Sequence, residues 1–228
     1  MAIIAFNPLV IGTFQQLFGV SAFLEAIDTA IPTLEASEDQ YLTRLAAQEG
    51  WEFETYAVEK VELDAKFRTW IPTFAAYSVI ILLHSVVENQ LLAFAERLGK
   101  KRGAKLRVKQ LAGRGLEQTA LYLEGILSFP VKADPAWRFV QDIQRLRNVI
   151  VHRGGRRGDT AEQQTALDDL IRRHPQKLQF HTADGIHEQV WVSMNLCRNF
   201  VCEVEGFFER IFRSAGLPNR HMQMDSGQ

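Results

Sequence analysis

The sequence predicts an all-α fold that carries a small β-hairpin. Apolar residues recur at intervals of three and four along several long segments, as they do on the buried stripe of a helix. Only the segment LQFHTADGIHEQVWVS, residues 178–193, has two β-rich runs around a turn. The chain has 228 residues, of which 46% are hydrophobic, so it is long enough to bury a substantial core.

Two helices that differ in charge are expected at the start of the chain. Residues 9–30 are expected to form an apolar helix, because the first 24 residues carry no charged side chain. Residues 38–70 are expected to form a long acidic helix, since eleven acidic and only two basic residues occur between positions 25 and 64.

The uncharged N-terminal segment, residues 1–24, has the apolar character of a signal peptide or a membrane span but lacks other features of both. A signal peptide needs a basic stretch before its apolar core, and none is present. A span needs about 20 continuous apolar residues, and polar residues, proline and glycine interrupt this segment. We therefore expect a buried or partner-facing segment in a cytoplasmic protein without membrane contact. The alternative is that the segment docks onto a membrane or a larger assembly.

A central helix is expected over residues 73–98, followed by a basic loop. Apolar side chains recur there at threes and fours, at Ile80, Leu83, Val87, Leu91 and Phe94. Gly99 is expected to end this helix. Residues 100–115 are expected to form a loop, with or without a short helix, and residues 116–127 a further helix closed by Phe129-Pro130.

The next helix has clear start and stop signals. Asp134 is a good N-cap, and Pro135 suits the first helical position. The helix is expected to continue to about His152, where Gly154 and Gly155 end it.

The remaining elements complete one expected domain. A short helix near residues 160–173 precedes the hairpin, and a last helix over residues 193–215 follows it. The core of the domain is expected to span about residues 70–215, with a helical extension over 1–69 and a flexible tail over 217–228.

The net charge of −1 conceals two strongly basic windows. Residues 97–114 contain eight basic and no acidic residues, and residues 145–157 contain five arginines and no acid. These windows are either solvated loops or a surface for a polyanion. The candidate contacts are Lys100, Lys101, Arg102, Lys105, Arg107, Lys109, Arg153, Arg156 and Arg157.

The helix before Gly154 carries polar side chains where it is about to end. Its apolar stripe consists of Phe139, Ile143, Leu146 and Ile150. Asn148 and His152 are four residues apart on the opposite face, so they are neighbours. Arg147 lies about 140° around a regular helix from His152. The two could therefore meet only if the last turn unwinds or if two copies of the helix combine.

These residue types suit cleavage of a phosphodiester. A histidine can exchange a proton near neutral pH, and arginine can grip phosphate oxygens and stabilise developing negative charge. In RNA the 2′-hydroxyl is an internal nucleophile, so no metal is required. The alternative is that His152 and Gly154 only form a helix C-cap. His84 and Glu88 are supporting candidates, which either pair with each other or reach the region of Arg147.

Residues 147–152 read RNVIVH, which is the pattern R-N-x-x-x-H, and R-G-G follows. This pattern, at a helix end in an all-helical chain of this size, resembles the signature of the HEPN superfamily (higher eukaryote and prokaryote nucleotide-binding domain). The resemblance implies a HEPN-like helical bundle with extra N-terminal helices, in which the hairpin is an insertion. It also implies a homodimer with a composite site at the interface, and an endoribonuclease of a toxin, abortive-infection or antiviral system.

The resemblance also implies roles for individual residues. Arg147 and His152 would be the catalytic pair, and Asn148 the polar residue between them. Products would end in a 2′,3′-cyclic phosphate or 3′-phosphate and a 5′-hydroxyl. The basic residues named above would hold RNA, with an affinity that falls steeply with salt. No C-x-x-C or H-E-x-x-H pattern occurs, so no metal or other cofactor is expected.

Two further expectations concern partners and activity. HEPN toxins paired with a nucleotidyltransferase antitoxin often carry a tyrosine two residues after the histidine, whereas Gly154 stands there in this chain. Regulation by modification of that tyrosine is therefore not expected, although an antitoxin or regulatory protein remains a candidate partner. The alternative function is a non-catalytic HEPN module that binds RNA or a partner protein.

Overall fold

The computed structural model describes residues 7–182 and 188–217. Of these residues, 78% are helical, and they contain one two-stranded antiparallel sheet, so the expected all-α fold with a hairpin is confirmed. The helices are α1 Pro8–Glu49, α2 Phe53–Ala65, α3 Ile71–Lys101, α4 Gly115–Leu121, α5 Trp137–Arg153, α6 Ala161–Arg173 and α7 Met194–Ser214. The strands are β1 Leu178–Thr182 and β2 Glu188–Val192. The expected hairpin turn lies outside the described residues.

The expected break between residues 30 and 38 is wrong, because α1 continues through Pro32 to Glu49. An interior proline removes one backbone hydrogen bond and crowds the carbonyl four residues before it, but the strong helix formers that follow Pro32 keep the segment helical. The helix ends instead just before Gly50, whose φ of +66° is left-handed. The Trp51 N–H donates to the Ala46 carbonyl at 3.0 Å, which is the closing hydrogen bond of a glycine C-cap.

The expected end of the central helix at Gly99 is also wrong. α3 continues to Lys101, and Gly103, with φ +67°, takes the left-handed position after it. Gly99 is buried inside the helix because the Tyr122 side chain packs there; a Cβ on Gly99 would lie 2.2 Å from the Tyr122 hydroxyl oxygen. A π-helical turn, Lys66–Trp70, joins α2 to α3, and another, Tyr122–Ile126, extends α4.

The chain divides into two compact units. Unit 1 comprises, of the described residues, 7–20, 81–148 and 199–217. Unit 2 comprises residues 21–80, 149–182 and 188–198. The points at which the chain passes from one unit to the other lie within α1, α3, α5 and α7.

Unit 1 has an aromatic core, and an ion pair fixes the start of α5 within it. Phe94 packs edge-on against Phe129, with ring centroids 5.3 Å apart. α5 begins at Trp137 and not at Pro135 as expected, although Asp134 does organise the turn before it, since its Oδ1 accepts the Ala136 N–H at 2.9 Å. The Arg210 guanidinium donates to both oxygens of Asp134, at 2.7 and 2.8 Å, and so connects the beginning of α5 to α7.

In unit 2 the hairpin holds the glycine segment that follows α5. Val190, in β2, is fully buried, and its N–H donates to the Gly155 carbonyl at 2.9 Å. The Tyr77 hydroxyl donates to the Val190 carbonyl at 2.5 Å, and burial raises the pKa of Tyr77 to about 12. Gly155 has φ +83° and packs against the Tyr77 side chain. The chain after α5 is therefore fixed by both its backbone conformation and its contacts.

Two helical stretches among the described residues are long and apolar enough to cross a membrane, within Pro8–Glu49 and Phe53–Lys101. The most apolar 18-residue window is 17% buried in the first and 44% buried in the second. The core helix of a soluble protein and a signal sequence can meet the same criteria of length and composition. A cytoplasmic location without membrane contact therefore stays a prediction.

Alanine substitutions of the two glycines after α5 distinguish the energetic cost of backbone strain from that of a steric clash. A Cβ on Gly154, at φ +59°, would enter open space, whereas a Cβ on Gly155 would lie 2.0 Å from the Tyr77 hydroxyl oxygen. We expect Gly154→Ala to lower the free energy of unfolding by about 1 kcal/mol and Gly155→Ala by about 3 kcal/mol or more. Urea denaturation measures both, and equal losses would contradict the packing of Gly155 described above.

Candidate functional site

The second half of α5 carries the residues that the R-N-x-x-x-H pattern singled out. Ile143, Leu146 and Ile150 are buried, as the helical spacing predicts. Asn148 and His152 are exposed on the polar side of the same helix. The amphipathic pattern of α5 therefore presents these polar groups to solvent at its C-terminal end.

Arg147 and Asn148 belong to unit 1 and touch each other. Arg147 is half-buried, and its Nη1 donates to the Asn148 Oδ1 at 3.2 Å. No ion pair within the described part of the chain neutralises Arg147, whereas neighbouring Arg145 lies 3.6 Å from the carboxylate of Asp142. The Arg147 guanidinium is therefore available to an anionic ligand.

His84 and Glu88 form a second polar cluster in unit 1. His84 is only 7% exposed, and its Nδ1 lies 3.7 Å from the Glu88 Oε2. Burial lowers the pKa of His84, the Glu88 carboxylate opposes this shift, and the positive charge of Arg147 adds to it. Glu88 packs against Gly115, where a Cβ would lie 2.6 Å from Oε1. His84 therefore lies near Glu88, and the charge of Arg147 acts on its pKa, while a supporting role of His84 and Glu88 in a functional site stays a prediction.

His152 belongs to unit 2, with the three arginines that follow it. His152 and Arg156 are exposed, and Arg153 is half-buried with its Nη1 3.4 Å from the Gln163 Oε1. The backbone of Arg156 pairs with that of Gln189 in a β-bridge. This arrangement leaves the imidazole of His152 and the guanidinium of Arg156 open to solvent.

Arg157 is a poorer candidate for RNA contact than the sequence indicated. Its Nη1 lies 2.9 Å from the Glu188 carboxylate, and its Nη2 donates to both oxygens of Asp168 at 2.9 Å. Its guanidinium also lies over the Phe180 ring, 4.7 Å from the centroid. Two carboxylates thus balance its charge, and its contacts hold α6 to the hairpin.

Helix geometry keeps Arg147 and His152 apart in one copy. The two residues lie on one continuous helix, α5, but in different units. On a regular helix a separation of five residues corresponds to about 140° of rotation. The regular helix persists to Arg153, so the last turn does not unwind to bring the pair together.

The basic loop of unit 1 presents its cations to solvent. The side chains of Lys100, Lys101, Arg102, Lys105, Arg107 and Lys109 are all exposed. Val108 is 1% exposed and anchors the loop from inside, while the Tyr122 hydroxyl donates to the Leu106 carbonyl at 2.9 Å. A 3₁₀ turn, Val108–Gln110, forms within the loop, as the sequence allowed. Arg102 also donates to the Leu127 carbonyl, so its charge is partly committed.

Three aromatic residues of unit 2 were not singled out from the sequence. Trp70, Phe74 and Trp191 line a cavity of about 220 Å³. Trp70 ends the π-helical turn before α3, and Phe74 lies four residues later in α3. Apolar residues at this spacing are found on both buried and exposed helix faces, so the sequence alone does not reveal the cavity. The described residues contain no group of three or more His, Cys, Asp or Glu side chains that could hold a metal ion.

The pKa of His84 tests the proximity of Arg147. We expect it to lie below the ordinary value of about 6.5 because the imidazole is buried. Arg147→Gln should raise this pKa, since a neighbouring positive charge is removed, and Glu88→Gln should lower it further. The imidazole proton shifts, followed by NMR as a function of pH, report each value.

Exposed Arg138, on the same helix as Arg147, gives the matched control, and Arg138→Gln should leave the titration of His84 unchanged. Because the folded pKa is depressed, the unfolded chain takes up a proton first as the pH falls below about 6.5, so His84 lowers stability there. A pKa of His84 that does not change in Arg147→Gln would contradict the proximity of Arg147 to His84.

Comparison of this chain with protein-family models, with curated proteins and with solved structures found no match. The resemblance to the HEPN superfamily therefore rests on the R-N-x-x-x-H pattern and on its place at the end of a helix.

Proposed function

We propose that the protein is a metal-independent endoribonuclease of the HEPN type. The observation that carries this proposal is the pair of exposed polar groups at the end of α5, Asn148 and His152, beside Arg147, which no carboxylate of the described residues neutralises. The resemblance implies a role in a toxin, abortive-infection or antiviral system, with an antitoxin or regulatory protein as a candidate partner.

In the proposed reaction the 2′-hydroxyl of RNA attacks the adjacent phosphorus. A P–O bond forms to the 2′ oxygen, and the bond to the 5′ oxygen of the next nucleotide breaks. The 2′-hydroxyl loses its proton and the leaving 5′ oxygen gains one; His152 takes the first as general base or gives the second as general acid, and water exchanges the other. Arg147 donates hydrogen bonds to the non-bridging oxygens and stabilises their added negative charge, while Asn148 orients the guanidinium that it already touches.

The proposed site is composite and contains two copies of α5. Because Arg147 and His152 point about 140° apart on one helix, a two-fold dimer can place Arg147 of one copy near His152 of the other. The exposure of His152 leaves it accessible to a second copy of the helix. The homodimer is thus part of the proposed mechanism, since one copy alone supplies an incomplete site.

The surrounding cations give the proposed site its affinity for RNA. Arg153 and Arg156 follow His152 closely in unit 2. In unit 1, the last turn of α3 and the basic loop after it supply six more exposed cations, over residues 100–109, as a separate candidate contact for RNA. Such contacts release counterions from the nucleic acid, so that affinity falls as the salt concentration rises.

A second candidate function is a non-catalytic module that binds RNA. The exposed basic loop favours it, because its six cations can bind phosphates without any contribution from His152. This function requires RNA binding without cleavage and predicts that His152→Ala leaves the affinity unchanged.

Cleavage of a mixed RNA pool in excess EDTA tests the proposal. We expect the parent protein to cleave, and Arg147→Ala and His152→Ala to reduce the rate by about 100-fold or more, because each removes a group that acts in the transition state. Arg138→Ala, which removes an exposed cation from the same helix, is the matched control and should retain the parent rate.

Equal cleavage by the parent and both site variants would overturn the assignment of Arg147 and His152. RNA binding by all of them, with no cleavage by any, would favour the binding module.

A further inference from the structure

Unit 2 contains an aromatic cleft that the proposed reaction does not use. Two exposed side chains, Trp70 at 52% and Phe74 at 60% of full exposure, form part of its lining. Trp191 and Gln189 of β2, with His181 of β1, line it as well. Exposed large aromatic residues that gather around one cavity are typical of a binding site.

The helical wall of the cleft follows from an irregular helix junction. Trp70 is the last residue of the π-helical turn between α2 and α3. Phe74 lies four residues later, and Thr73 contributes a hydroxyl that donates to the Thr69 carbonyl at 2.6 Å. Inserted π-turns are frequent at functional sites because they redirect side chains that a regular helix would place elsewhere.

The hairpin forms the other wall of the cleft, where an indole ring lies beside polar side chains. His181 and Gln189 are directly opposite each other in the antiparallel register, so their side chains are on the same face. Trp191 is two residues after Gln189 and shares this face, while Val190 points to the buried side. The cleft therefore offers indole, imidazole and carboxamide groups together.

The size of the cleft limits its ligand. Its volume is about 220 Å³, and an apolar cavity of about 150 Å³ is large enough to bind benzene. One flat heteroaromatic ring system is therefore the size that fits. A ring of this kind with polar edges would stack on tryptophan and meet hydrogen-bond donors and acceptors at its rim.

Basic groups lie next to the cleft within the same unit. Arg156 is the β-bridge partner of Gln189, which places their Cα atoms about 5 Å apart. The Gly155 carbonyl accepts the N–H of Val190, another residue of the cleft lining. A ligand ring in the cleft would therefore have a guanidinium nearby for an attached phosphate, four residues beyond His152.

We propose that this cleft binds a single unpaired nucleobase of RNA. An unpaired base provides the flat ring, the polar edge and the attached phosphate that the cleft and Arg156 fit. In duplex RNA the bases are stacked and paired, so single-stranded RNA is the expected ligand. The inference deepens the proposed ribonuclease function, because a base held in the cleft would determine which nucleotide lies near His152. It rests on that proposed function for the identity of its ligand as RNA.

Binding of an uncleavable oligonucleotide tests the cleft independently of catalysis. The probe is a fluorescein-labelled single-stranded 2′-O-methyl RNA, which lacks the internal nucleophile, and fluorescence anisotropy reports its affinity. We expect Trp191→Ala to weaken binding about tenfold, since loss of one stacking side chain removes a substantial part of the affinity for a base. Trp191→Phe should retain most of the affinity, because it keeps a ring.

Two controls distinguish stacking from a general effect on the protein. Trp51→Ala removes a half-buried tryptophan of unit 2 that does not line this cavity, and it should bind like the parent. An abasic oligonucleotide of the same length should bind the parent and Trp191→Ala equally. Thermal unfolding of each variant reports whether its fold is retained.

The outcomes separate the cleft from the nuclease. Unchanged affinity in Trp191→Ala, an equal loss for the abasic oligonucleotide, or no binding of the single strand by the parent would overturn the cleft inference. If the parent protein cleaves RNA and Trp191→Ala binds the probe as tightly as the parent, the nuclease proposal is supported and the cleft inference is overturned. A tenfold loss in Trp191→Ala, with no cleavage of ordinary RNA by the parent, would support the cleft and overturn the nuclease.

Discussion

The hydrogen bonds around Val190 are the constraint on which the arrangement of unit 2 depends. The Gly155 carbonyl accepts one, and the Tyr77 hydroxyl donates the other, so β2 is joined both to the segment after α5 and to α3. Gly155 can make this approach because it lacks a Cβ and adopts a left-handed φ. The same contacts set the end of α5, the course of the following arginine-rich segment and one wall of the aromatic cleft. The arginine-rich segment is thereby held against the hairpin.

The main electrostatic feature of this part of unit 1 is the positive charge of Arg147. Arg147 forms no ion pair with a carboxylate in the described chain, and it touches only the neutral oxygen of Asn148 among its hydrogen-bond acceptors there. The nearby histidine, His84, is buried and has a lowered pKa, so it contributes little positive charge near neutral pH. Glu88 limits this effect without approaching closely enough to form a strong hydrogen bond, since its oxygen lies 3.7 Å from the imidazole nitrogen. The positive charge at this place therefore comes mainly from Arg147.

Patterns among neighbouring residues predict much of the fold. The features that they do not predict depend on contacts between residues far apart in the chain. Gly154 and Gly155 act through backbone conformations close to the helix end, so the end of α5 could be inferred, whereas α5 begins at Trp137, two residues after the expected Pro135. Gly99 does not end α3; its role depends on packing against Tyr122, which no local pattern connects to it. The polar face of α5 followed from helical spacing, whereas the ion pairs of Arg157 with Asp168 and Glu188 required the fold of α6 and the hairpin. The aromatic cleft likewise joins residues more than a hundred positions apart, Trp70 and Trp191.

The central claim is that RNA itself supplies the nucleophile, and the ends of the cleavage products test this most directly. A defined RNA oligonucleotide would be incubated with the protein in excess EDTA, beside an otherwise identical one with a single 2′-deoxy nucleotide at the cut position, and the fragments would be identified by mass spectrometry. The account predicts 2′,3′-cyclic phosphate or 3′-phosphate and 5′-hydroxyl ends, and loss of cleavage at the deoxy position alone. Fragments with 5′-phosphate ends, or undiminished cleavage next to the deoxy sugar, would contradict it.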